Sequence, residues 1–311
     1  MNDASDDQPV TDPDDIGDEL AFEADEPGRA KQLILRSTAI LPSLFTLANG
    51  LLGFGAIHFA TKEGLFIPGT DSPADSLANL TMAVWMIFGA MVADMLDGRI
   101  ARMTRQTTDF GAQLDSLCDA ISFGVAPALL MIRTAVVALR GREMPFVPIG
   151  PLTERVLWCI GGLYVACAVM RLARFNVENK PDASAHMGFH GLPSPGAAAT
   201  VAGLILLFAH LHAMTDPFSK ALLGIVAVCT PLATFAAALL MVSPFRYVHV
   251  VNHYIHGRRP VSYLVRVVLL VLAGVLWPYL TLGVVMLAYA LSGVTGALWR
   301  RFRPSTQGKK N

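Results

Sequence analysis

LANLTMAVWMIFGAMVADMLDGRIARMTRQTTDFGAQLDSLCDAISFGVAPALLMI, residues 77–132, reads as two apolar runs, at about 77–96 and 112–132, joined by a stretch of aspartates, arginines and glycines. A helix needs about 20 residues to cross a hydrocarbon core about 30 Å thick, and each run meets that length. Further runs of the same kind fall outward from it at about 40–60, 156–173, 196–214, 221–242, 263–278 and 281–299. The expectation is an all-α integral membrane protein of about eight spans. Composition agrees: of the 311 residues 53% are apolar and 15% charged, against the roughly 25% charged share of an average soluble domain.

A net charge of zero conceals two materials. Residues 1–27 hold eleven of the 24 acidic side chains and no Lys or Arg, so the rest of the chain carries 24 basic against 13 acidic residues. So acidic and so poor in apolar residues, the segment cannot bury enough surface to fold alone, and residues 1–28 are expected to be a disordered tail. A secretory signal would begin with positive charge, so the first helix reads as a retained anchor. Lys and Arg cluster before helix 1 (Arg29, Lys31, Arg36) and after helices 2, 4, 6 and 8, which places these connections and both termini in the cytoplasm. The segment bearing Arg133, Arg140, Arg142 and Arg155 is the exception to this pattern. Cys118, Cys159, Cys167 and Cys229 fall inside predicted spans without metal-type spacing, and read as packing residues.

Between helices 2 and 3, Asp94 and Asp97 are three residues apart and Asp115 and Asp119 four apart, so each pair shares a face if its segment is helical. A short connection makes the two helices antiparallel neighbours whose pairs converge. Four carboxylates in a low-dielectric site repel one another unless cations compensate. All-oxygen ligands select hard ions such as Mg²⁺ or Mn²⁺, and the surplus of carboxylates points to two of them, the arrangement that clamps the attacking and leaving oxygens of a phosphoryl displacement. Gly98, Ala101 and Gly111 remove bulk where phosphates would approach, although helix packing would also select small residues. Arg99 and Arg102 suit a pyrophosphate, and positive-inside placement would put arginines at 99, 102 and 105 as well.

The run from Asp94 to Asp119 resembles the signature of the CDP-alcohol phosphotransferases, D-x2-D-G-x2-A-R-x8-G-x3-D-x3-D, at every fixed position: Asp94, Asp97, Gly98, Ala101, Arg102, Gly111, Asp115 and Asp119. The resemblance implies a six-helix transmembrane core, here followed by two more helices, with the active site opening to the cytoplasm and a homodimer as the assembly. It also implies that Asp94, Asp97 and Asp115 hold the metals and that Asp119 is the general base, with some metal contact of its own. Gly98, Ala101, Arg102 and Gly111 would then contact the CDP-lipid. On this reading residues 29–250 form the catalytic domain, 251–299 a two-helix extension and 300–311 a basic tail.

Four other stretches are similar to the bacterial membrane-type phosphatidylserine synthases of that family: LPSLFTLANGLLGF (41–54), RLARFNV (171–177), GFHGLPSPGAA (188–198) and LMVSPFRY (240–247). The similarity implies CDP-diacylglycerol and L-serine as substrates, and phosphatidylserine and CMP as products, at the inner membrane of a bacterial cell. Glycerol 3-phosphate or choline as acceptor is the alternative within the chemistry; a cation transporter is the alternative outside it. Arg171 and Arg174 could meet a serine carboxylate or lipid phosphates, and Asn176, Ser194 and His190 could hydrogen-bond the acceptor. Pro193 and Pro195 stiffen the entry to helix 5. His249, His253 and His256 fit an interfacial segment better than a zinc site. Helices 7 and 8 carry no polar cluster beyond Arg266 and read as scaffold.

Overall fold

A computed structural model describes residues 26–62, 73–104, 108–144, 146–178, 191–245 and 272–302. The acidic segment up to residue 25, Arg105, His190, the three histidines at 249–256 and most of the expected seventh span lie outside the described residues, as does the side chain of Arg102. Every regular element among the described residues is helical: α1 Glu26–Thr61, α2 Pro73–Thr104, α3 Asp109–Arg140, α4 Pro151–Glu178, α5 Ser194–His212, α6 Pro217–Val242 and α7 Pro278–Phe302. The first six each contain a stretch long and apolar enough to cross a membrane, and α7 adds a shorter apolar stretch, Pro278–Gly293. The protein is an all-α, multi-pass membrane protein. Residues 272–276, inside the expected seventh run, are helical as well.

α5 is the central post, with Val201, Ala202, Ile205 and Phe208 fully buried. α1, α2, α4, α6 and α7 carry most of the outer surface, where Leu51, Phe54, Trp85, Trp158, Leu232 and Val284 are exposed, the inverse of a soluble surface and the arrangement lipid requires. Of the four cysteines, Cys118 and Cys167 are buried while Cys159 and Cys229 are exposed on that surface. α1 begins at Glu26, well before its apolar span at Pro42, so the basic residues 29–36 extend the helix rather than precede it.

α3 is not uniform. Its first part, Asp109–Asp119, is capped by Thr108, whose hydroxyl accepts from the Gly111 N–H at 3.1 Å. Residues Ala120–Val125 then widen into a π-helical turn before α-geometry resumes at Ala126. Pro127 supplies the cause: it has no N–H for the carbonyl of Phe123 four residues back, and its ring would collide with that carbonyl in an α-helix. The freed Phe123 carbonyl accepts instead from the Tyr164 hydroxyl of α4 at 3.2 Å, at a tyrosine with no exposed surface.

α1 lies against the start of this turn at backbone distance. A Cβ on Gly50 would stand 2.8 Å from Cys118 Sγ, and one on Gly53 would overlap Ser122, so only glycine permits the approach. Ser122 Oγ uses the closeness to donate to the Asn49 carbonyl at 2.9 Å. The entry to α5 is fixed from α6: Gly191 N–H donates to Phe245 O at 2.8 Å and Leu192 N–H to Leu240 O at 2.9 Å. Gly191 sits at φ 89°, in the left-handed region, with Met241 O where a side chain would go.

Candidate active site

The antiparallel packing of α2 and α3 brings the two aspartate pairs to one place. Asp94, Asp97 and Asp115 each offer a carboxylate oxygen within 4.8 Å of the others. Asp97 is 5% exposed, and Asp94 and Asp115 are half-buried. Asp97 Oδ2 and Asp115 Oδ1 are buried with no hydrogen-bond partner among the described residues. Buried acceptors in this state call for a positive partner, and an all-carboxylate donor set of this size fits a hard divalent cation. Thr46 of α1 also meets the Asp97 carboxylate.

Asp119 stands one turn further along α3 and belongs to a different arrangement. It is 7% exposed, and its Oδ1 accepts from Asn49 Nδ2 of α1 at 2.8 Å. Asn49 itself is fully buried, and its Oδ1 has no partner among the described residues. The backbone carbonyl of Asn49 is the group held by Ser122, so the π-turn of α3 fixes the residue that orients Asp119. Asn49 did not emerge from the aspartate spacing. Its signals in the sequence were its place in the 41–54 stretch and an amide inside an apolar span, three residues after Thr46, where a polar group needs a reason to be.

The small residues divide. A Cβ on Gly98 would meet nothing within 4 Å, so this position opens onto free space beside Asp97. At Gly111 a Cβ would come 3.1 Å from the Thr108 cap hydroxyl, so the start of α3 accounts for that glycine. Ala101 is half-buried on the last turns of α2, and Arg99 beside it is exposed.

The described residues expected to meet the acceptor lie on α4 and at the start of α5. Arg171 of α4 donates from Nη1 to Ser194 Oγ at the start of α5, at 2.9 Å. Asn176, further along α4, donates from Nδ2 to Ser116 Oγ at 2.8 Å, next to Asp115. Arg171 lies within electrostatic reach of Asp119, while Arg174 is exposed on α4. Arg171, Ser194 and Asn176 thus border the carboxylates. This constellation offers a cation-binding trio, a fixed carboxylate beside it and a cationic wall: the parts of a phosphoryl-transfer site.

Residues 39–242, well over half of the chain, match the family model described as CDP-alcohol phosphatidyltransferase. The chain belongs to that family, and it is a transferase. Divalent metals are the general requirement of such enzymes. Among similar proteins is the CDP-diacylglycerol–serine O-phosphatidyltransferase of Helicobacter pylori strain J99, 30% identical over 208 residues, which are 67% of this chain and 71% of that one. The enzyme of the same name from Mycobacterium bovis is 30% identical over 238 residues, covering 65% of this chain and 73% of the relative. That of Bacillus subtilis is 29% identical over 213 residues, 68% of this chain and 92% of its own length.

Proposed function

We propose that this protein transfers the phosphatidyl group of CDP-diacylglycerol to L-serine, giving phosphatidylserine and CMP. The observation that carries the reading is the trio Asp94, Asp97 and Asp115 within 4.8 Å, with the separately oriented Asp119 beside it. The names of the relatives support serine as acceptor.

Asp94, Asp97 and Asp115, with a contribution from Asp119, would hold two Mg²⁺ or Mn²⁺ ions. Bound there, the ions supply Lewis-acid polarisation of the pyrophosphate and neutralise charge developing on CMP. Asp119 takes the proton of the serine hydroxyl as its oxygen bonds to the phosphorus that bears diacylglycerol, and the bond from that phosphorus to the CMP oxygen breaks. An aliphatic hydroxyl is too weak an acid to ionise unaided at neutral pH, so a positioned base is worth about 10² to 10⁴ in rate. The Asn49 amide holds the Asp119 carboxylate in one orientation. Gly98, Ala101, Arg102 and Gly111 line the CDP-lipid side, and Arg171, Arg174, Asn176 and Ser194 the acceptor side. The acyl chains stay in lipid while the nucleotide and serine reach the site from the cytoplasm. The inner membrane of a bacterium, both termini cytoplasmic, and a homodimer complete the reading.

The test is an acceptor panel. Purified protein with labelled CDP-diacylglycerol and Mg²⁺ or Mn²⁺ should release CMP with serine and form phosphatidylserine, with glycerol 3-phosphate and choline inert. CMP release with one of those two, and none with serine, would reassign the acceptor; no CMP with any alcohol would remove the transferase reading.

A further inference from the structure

α7 lies beyond residue 242, where the match to the family ends, and its sequence carries no charged cluster before Arg300. Yet it packs on α5 at backbone distance and in antiparallel register. Gly283 meets Gly203, each so close that a Cβ would come within 3.1–3.2 Å of the other helix's backbone, and Thr200 Oγ1 lies 3.1 Å from Met286 O. Beyond them His210 stacks on Tyr279 at the far end, with ring centroids 4.9 Å apart. This register carries Tyr289 to the first turn of α5, where a Cβ on Gly196 would stand 2.8 Å from Tyr289 Cε1. Ser194, two residues earlier, is the hydroxyl that Arg171 grips at 2.9 Å. Tyr289 and Arg171 are within electrostatic reach of each other.

The guanidinium of Arg171 is only partly engaged. Its Nη1 is used by Ser194, but its Nε is buried with no hydrogen-bond partner among the described residues. Arginine recognises carboxylates through a planar fork of two N–H groups, and such recognition depends on the plane being held. Ser194 fixes one corner of that plane. A second contact is needed to stop rotation about the first, and Tyr289, packed on Gly196 two residues from Ser194, is the polar side chain that α7 brings to this end of α5.

We propose that Tyr289 is a positioning residue for the acceptor: packed on Gly196 beside Arg171 and Ser194, it holds the guanidinium so that its open edge receives the carboxylate of an amino-acid acceptor. The inference rests on serine being the acceptor. It gives the C-terminal helix a part in specificity, since the discriminating group on serine is the carboxylate that ethanolamine lacks. Loss of a hydrogen-bonding site to a charged group costs about tenfold or more in an equilibrium constant.

The experiment measures CMP release by full-length protein with varied serine, varied CDP-diacylglycerol and, separately, ethanolamine. Tyr289→Phe keeps the ring on Gly196 and removes the hydroxyl. It should raise KM for serine about tenfold, leave KM for CDP-diacylglycerol unchanged, and lower the preference for serine over ethanolamine by a similar factor. Gly196→Ala displaces the ring with its hydroxyl intact and should move the same ratio, and combining it with Tyr289→Phe should add little. A Tyr289→Phe enzyme with wild-type serine KM, or with both KM values raised alike and the serine preference intact, would overturn the proposal. Wild-type protein that ignores serine in the acceptor panel would fail the acceptor reading first and take this inference with it, a result visible before any variant is made.

Discussion

Asp97 and Asp119 are the same residue type at similar burial, yet their surroundings assign them different work. Asp97 has an unpaired buried oxygen facing two other carboxylates; Asp119 is held by an amide. An asparagine at 119 cannot accept the serine proton, so Asp119→Asn should lose about 10² to 10⁴ in turnover while retaining metal-dependent CDP-diacylglycerol binding. Asp97→Asn removes charge that holds the ion and should weaken both. Equal loss of metal affinity in the two variants, measured by metal titration of each, would contradict the division. Asn49→Ala should leave metal affinity near normal and lower kcat by about tenfold or more, because it deletes one hydrogen bond to a charged acceptor; a kcat equal to wild type would show that Asp119 needs no such orientation. Asp94, Asp97, Asp115 and Asp119 were legible in the sequence because their separations repeat along a helix face. Asn49 was not, because it lies 70 residues from its partner and only the fold closes that distance.

At the scale of the element, the apolar runs located the spans because lipid imposes a length, whereas their ends were set by forces that hydropathy does not carry. α1 runs back to Glu26, with Pro27 in the first turn where its missing N–H is tolerated, and α4 starts at Pro151 for the same reason. The π-turn of α3 was readable only in part: Pro127 announces a missing hydrogen bond, but Tyr164, which takes up the freed carbonyl, comes 41 residues from Phe123. The turn between α3 and α4 holds a second polar pair, at the end of the bundle away from the aspartates. Glu143 Oε1 stands 2.8 Å from His212 Nε2 at the end of α5, and burial pushes the Glu143 carboxyl from its ordinary value up to about 7. Between about pH 4.5 and 7 the unfolded chain therefore gives up a proton that the folded protein keeps, so this group's contribution to stability falls as pH rises through that window and levels off above it. Glu143→Gln should flatten the pH dependence of the melting temperature between those limits in detergent. An unchanged slope would mean that the carboxyl stays ionised in the fold.

For the molecule as a whole, the site is a source of instability that the bundle tolerates. Asp94, Asp97 and Asp115 are gathered by α2 and α3 in a setting of low dielectric, where like charges oppose folding unless a cation is bound. Metal binding should therefore be visible in stability as well as in turnover. A ligand that binds only the folded state stabilises it by about 2.7 kcal/mol at a hundredfold excess over its Kd. Protein stripped of divalent ions in detergent should show no transfer to serine and a lowered melting temperature, and Mg²⁺ or Mn²⁺ should restore both together, with Na⁺ at matched ionic strength as the control for screening. Asp115→Asn sharpens the expectation, because relief of repulsion and loss of the ligand act in opposite directions on stability. Without divalent ions it should melt higher than the wild type; with them it should gain little and stay inactive. Wild-type protein that turns over fully after exhaustive chelation, or an Asp115→Asn variant that is less stable than wild type without metal and shifts normally with it, would show that these carboxylates are balanced by the protein itself and that the paired-ion reading of the site is wrong.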